Sequence, residues 1–75
     1  MLGVNKLKEL RKEAGLSRFR LAVEAGLTPG AVMNLERGIV SPRAMTIKLL
    51  ARALAKRLGR SEAEVALELL EEVER

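Results

Sequence analysis

Residues 17–37, SRFRLAVEAGLTPGAVMNLER, decide the fold. Ser17 is a good helix N-cap, because its short hydroxyl can accept a hydrogen bond from an amide of the first turn. The residues after it place Leu21, Ala22 and Ala25 on one side, the spacing of a helix with one buried face over about Arg18–Ala25. Gly26 closes that helix. Thr28-Pro29 then starts another: the threonine caps free amides, and proline at the first helical position lacks only an amide that would have no partner there. This helix runs to about Arg37, and Gly38 ends it. Val32 and Leu35 face inward, while Gly30, Met33, Asn34 and Arg37 share the opposite face at i, i+3, i+4, i+7. The link Ala25-Gly26-Leu27-Thr28 is too short to do anything but turn the chain sharply.

Working outward, a first helix is predicted over Val4–Ala14, burying Val4, Leu7, Leu10 and Ala14 and ended by Gly15, after which Leu16 turns inward. Downstream, Ser41-Pro42 repeats the cap-plus-proline pattern and opens a fourth helix to about Leu58. Its buried positions are Ala44, Ile47, Leu50, Ala51, Leu54 and Leu58. Gly59 stops it. Ser61-Glu62-Ala63-Glu64 reads as a capping box for a last helix over 62–74, with Val65, Leu69 and Val73 on one side and Ala66 and Leu70 beside them. No strand pattern, repeat or linker remains. The expectation is an all-α fold of five helices, one domain over residues 1–75.

Composition narrows the function. The chain has 75 residues, no cysteine and no histidine, and no aspartate stands anywhere in it. The usual proton shuttles, nucleophile and base pairs and most metal ligands are therefore missing, so neither an enzyme nor a bound cofactor or metal is expected. Glu68, Glu71, Glu72 and Glu74 lie on the last predicted helix and read as a solvated face rather than an acid/base pair. No apolar run approaches the roughly 20 residues that cross a bilayer, and Met1–Lys6 does not read as a signal peptide, so a soluble cytoplasmic protein is expected. The net charge of +4 hides an asymmetry: residues 1–60 carry 13 basic and 4 acidic side chains, residues 61–75 carry 1 basic and 6 acidic. One end is suited to a polyanion.

Two short helices joined by a tight turn have the helix-turn-helix spacing, over residues 17–37. At this point the sequence resembles the XRE family, the Cro/C1-type helix-turn-helix proteins. LKELRKEAGLS (7–17) opens like the family's first helix, LAVEAGLTPGAVMNLERG (21–38) like its central motif, and Ser41-Pro42 with LLARAL (49–54) like its fourth helix. The resemblance implies a compact five-helix, lambda-repressor-like domain. It further implies that the third helix enters the major groove of double-stranded DNA, commonly as a homodimer on a pseudo-palindromic site, in a repressor or other transcription regulator. It also implies an internal ion pair between Arg11 and Glu36, linking the first helix to the end of the third.

The residues themselves point the same way. Capped amides behind Ser17 and Thr28, with Gly30 allowing close approach, suit a phosphate backbone. Asn34 has the geometry for a bidentate bond to adenine, Ala31 and Met33 could meet a thymine methyl, and Arg37 and Arg43 suit phosphates. Where the family usually begins its second helix Ser-Gln-Glu-Glu, this chain has Ser17-Arg18-Phe19-Arg20, so the capping box is lost. Two cations in the first turn oppose the helix dipole, and a phosphate docked there would reverse the sign of that effect, which makes Arg18 the best phosphate contact.

A second reading keeps the fold but makes it a protein-interaction module, binding a protein partner with weak or no specific DNA binding. Phe19 and Val23 on the second helix, and Met45 and Leu49 on the fourth, are apolar pairs at i, i+4 that could form a patch. A further expectation concerns the last helix, whose apolar residues Val65, Ala66, Leu67, Leu69, Leu70 and Val73 cover more than one face, so that Leu67, Leu70 and Val73 are candidates for a dimer or partner surface. Its acidic end would be relieved by Arg52, Lys56 and Arg57 of the fourth helix, from the same or a neighbouring protomer.

Overall fold

A computed structural model describes the backbone of residues 5–73 and the side chains of residues 5–70. Val4 and the side chains of Glu71, Glu72, Val73 and Glu74, to which parts of the sequence reading refer, lie outside the described residues. Five helices follow in order: α1 Lys6–Glu13, α2 Arg18–Ala25, α3 Pro29–Glu36, α4 Ala44–Leu58 and α5 Glu62–Val73. Among the described residues there is no strand, and no helix is long and apolar enough to cross a membrane.

Each start and stop has a local cause. Ser17 Oγ accepts from Arg20 N at 3.0 Å and Thr28 Oγ1 from Ala31 N at 3.1 Å, which satisfies amides that a helix start leaves without partners. Gly26 turns the chain between α2 and α3 at φ +75°, a left-handed conformation that costs glycine nothing and most other residues about 1 kcal/mol or more. Leu10, Leu21, Leu50, Leu54, Val32 and Val65 are the largest fully buried side chains, and they come from all five helices. Each contributes roughly 1.5–3 kcal/mol by leaving water. Val32 is the residue by which α3 plugs into that core.

Two helix starts differ from the sequence reading. α1 begins at Lys6, because Asn5 stays extended and caps it, its Oδ1 accepting from Lys8 N at 3.1 Å. α4 begins at Ala44, two residues later than Ser41-Pro42 predicts. Pro42 is half-buried beside Asn5, Leu7, Leu35 and Ile47, so its ring is used in packing, and Arg43 becomes an N-cap with no side-chain hydrogen bond. Ala44 is consequently exposed, not buried. At α5, Ser61 Oγ accepts from Glu64 N at 3.1 Å, while the Glu64 carboxylate pairs with Arg60 Nε at 3.5 Å rather than closing a capping box.

α5 packs mainly on α4 and runs antiparallel to it: Leu69 shares a cleft with Pro42 and Ile47, and Glu62 another with Ala55 and Lys56. The acidic end expected from sequence to meet Arg52, Lys56 and Arg57 is formed by Glu71, Glu72 and Glu74, whose side chains lie outside the described residues. Arg57 instead pairs with Glu24 of α2, its Nε donating to Oε1 at 3.2 Å.

Candidate nucleic-acid interface

The outward side of α3 carries the residues singled out for DNA. Gly30 and Arg37 are exposed, and Ala31, Met33 and Asn34 are partly exposed. A Cβ at Gly30 would meet nothing within 4 Å, so the protein's own packing leaves the space beside α3 open there. Thr28 and Ser17 are exposed at the starts of α3 and α2, and Arg43 is exposed at the start of α4.

Below this face lies an ion-pair cluster. The Glu36 side chain, 2 % exposed, accepts from Arg11 Nε at 2.5 Å and from Arg11 Nη2 at 3.2 Å. Arg11 completes its bonding by donating from Nη1 to the Leu16 carbonyl at 2.9 Å. A second guanidinium reaches the same carboxylate, with Arg18 Nε donating to Glu36 Oε1 at 3.0 Å. Burial works to raise the Glu36 carboxyl, but hydrogen bonds from Arg11 and then Arg18 outweigh it and hold the group below its ordinary value of 4.5. Arg18, read from sequence as a surface cation, is thus tied to the end of α3 by one nitrogen. Arg20 is likewise turned back, its Nε donating to Glu24 Oε2 at 3.2 Å, so the two cations that start α2 each meet an acid.

Asn5 was not singled out by sequence. Its side-chain amide donates to the Glu36 carbonyl, a group that the end of α3 leaves open, and, at 3.4 Å, to the Leu35 carbonyl, which also accepts from Gly38 N. A lone Asn before a helix signals a cap; its reach to a helix 30 residues away has no local signature.

The acids are distributed so as to leave this face positive. Between Glu24 and Glu62 the only acidic residue is Glu36, and it is buried. Everything that α3, the following loop and α4 present to solvent is therefore neutral or basic, and Arg37 and Arg43 have no ion-pair partner among the described residues. Glu64 and Glu68 sit on α5 and are neutralised there: Glu68 pairs with Arg60 and, at 3.4 Å, with Lys6. Hydrogen bonding from Arg60 holds the Glu68 carboxyl below its ordinary range. Of the four glutamates read from sequence as a solvated face, only Glu68 has a described side chain, and it is ion-paired.

The apolar residues weighed as a partner patch divide. Phe19 is 64 % exposed and Val23 57 % exposed, one turn apart on α2. Leu49, by contrast, is half-buried against the core, which leaves Met45 exposed without it. Ile39 and Val40, in the loop between α3 and α4, are also exposed.

Two short helices crossing at a tight glycine turn, the second presenting an open, acid-free face, define a helix-turn-helix domain. A family model described as helix-turn-helix matches residues 7–65, and the chain belongs to that family, in its XRE-type branch. It is 38 % identical over 58 residues to a protein of Methanothermobacter thermautotrophicus named as an uncharacterized HTH-type transcriptional regulator, a match that covers 77 % of this chain and 78 % of the relative. No solved structure matches the chain.

Proposed function

We propose that this protein is a DNA-binding transcription regulator that lays α3 in the major groove of double-stranded DNA. The observation that carries the reading is the absence of any exposed acid between Glu24 and Glu62, on the same side that leaves Gly30 uncrowded and Asn34 accessible. Asn34 reads adenine, with Ala31 and Met33 against neighbouring base edges. Ser17, Thr28, Arg18, Arg37 and Arg43 hold the phosphates on either side, fixing register without reading sequence. Two copies bind as a dimer, which sets half-sites about 34–36 Å apart, one helical turn of DNA.

Salt titration tests the reading. If each protomer neutralises about three phosphates, log K falls against log salt with a slope near −5. A slope near zero would remove DNA as the partner. That result would favour the protein-interaction reading, for which exposed Phe19 and Val23 are the supporting observation. Selection of bound sites from a random DNA pool would give the half-site and its spacing together.

A further inference from the structure

Glu36 serves two arginines, and only one of them needs it for the fold. Arg11 is buried and spends every side of its guanidinium inside the protein, on both Glu36 oxygens and on the Leu16 carbonyl. Arg18 is different. Its side chain is 42 % exposed, it reaches Glu36 Oε1 through Nε alone, and its terminal edge, Nη1 and Nη2, has no partner among the described residues. One carboxylate between two guanidiniums also leaves the cluster with a net positive charge. Since Arg11 and Glu36 are shut away from solvent, that charge is expressed at the open edge of Arg18.

We infer that Glu36 is a positioning residue for DNA: it fixes Arg18 by Nε so that the terminal edge of the guanidinium is presented, already oriented, to a backbone phosphate. This rests on the DNA-binding reading and deepens it. The guanidinium is a rigid plane with donors on two edges, so holding one edge sets the direction of the other, which a flexible ammonium cannot reproduce. Charges then alternate from Arg11 to Glu36 to Arg18 to phosphate. The chain of bonds joins the start of α2, where a phosphate docks, to the end of α3, which enters the groove. Gripping the backbone and seating the recognition helix thereby become one event.

The two roles of Arg18, charge and orientation, separate by substitution. On random-sequence duplex DNA, Arg18→Gln should weaken binding and flatten the salt slope by about 1. Arg18→Lys keeps the charge, so the slope should stay as in the wild type while affinity falls about 5- to 10-fold for loss of the oriented, two-pronged contact. In a Glu36→Gln background, whose folding is checked by circular dichroism, the advantage of arginine over lysine at position 18 should shrink to less than about twofold, since glutamine keeps a single uncharged acceptor oxygen, which buried Arg11 claims, and Arg18 loses its anchor. Equal binding by Arg18→Lys and wild type, or the same arginine advantage in both backgrounds, would overturn the inference. Should Glu36→Gln not fold, the Arg18 Nε–H resonance of wild-type protein decides: protection from solvent exchange in both the free and the DNA-bound state is expected, and its loss on binding DNA would refute the positioning role. Failure of the wild type to bind DNA at low salt, with that resonance still protected in the free protein, would sink the DNA reading itself.

Discussion

At the scale of single residues, Glu36 links stability to pH. Its carboxyl is held below its ordinary value of 4.5 in the folded chain, so the unfolded state binds the proton more readily. The stability it contributes is complete above the unfolded value and is lost as pH falls through the depressed folded value. Urea unfolding followed down through pH 4.5 should therefore show a decline that Glu36→Gln makes shallower, the remainder belonging to Glu24 and Glu68, which are lowered as well; an identical decline in both proteins would mean that Glu36 does not contribute to it. Arg11→Met strands a buried carboxylate on one side and should cost about 3 kcal/mol, because an uncompensated buried charge costs more than the pair contributes. Asn34 is the residue on which the proposed base readout rests. Asn34→Ala should leave thermal stability nearly unchanged and relax preference at one base position of each half-site, at about 1–3 kcal/mol on the preferred sequence. Uniform weakening on all sequences would make Asn34 a backbone contact.

At the scale of elements, several ties hold α3 in place, and they are unequally visible in the sequence. Val32 was legible, because an inward apolar residue repeats at helical spacing with Leu35. The tie to Arg11 followed only from resemblance, and the tie to Asn5 from neither, because each joins residues distant in the chain. The same limit explains the two cap-plus-proline pairs. Thr28-Pro29 and Ser41-Pro42 carry equivalent local signals, yet only the first starts a helix where it stands. What separates them is the packing of Pro42 near α1, which no local rule sees. Asn5 yields a prediction of its own. Asn5→Ala removes the cap of α1 together with the bonds closing the end of α3, so it should cost about 1–2 kcal/mol, at the upper end for an N-cap. Hydrogen exchange should locate the loss: faster exchange at the start of α1 alone would mean that the amide contributes nothing to α3.

At the scale of the whole molecule, the exposed apolar residues of α5 offer the proposed dimer a surface of its own, on a different helix from the acid-free face of α3. α5 buries Val65 and Leu69 against α4, as a helix covering a core should, but Leu67 stays 61 % exposed and Leu70 38 % exposed. Leu70 also stands at the edge of an open groove of about 310 Å³ between α4 and α5, lined by Ala44, Ile47, Ala51 and Ala66. Small side chains leave that space, and it is mostly apolar. Lys48 and Glu62 border the groove with opposite charge, so in the proposed dimer a copy related by a two-fold axis and lying antiparallel would bring unlike charges together, with each Leu70 entering the other's groove. Burial of the leucine would supply the affinity of that dimer, and the charges its orientation. Leu70→Glu places a carboxylate in that apolar space in the dimer but leaves it at the solvent edge in the monomer. It should therefore give a folded monomer whose operator binding is weakened far more than its thermal stability. Sedimentation of the wild type at micromolar concentration and above decides: a dimer that Leu70→Glu dissociates is expected, and a wild-type monomer at the highest concentration reached would refute this arrangement.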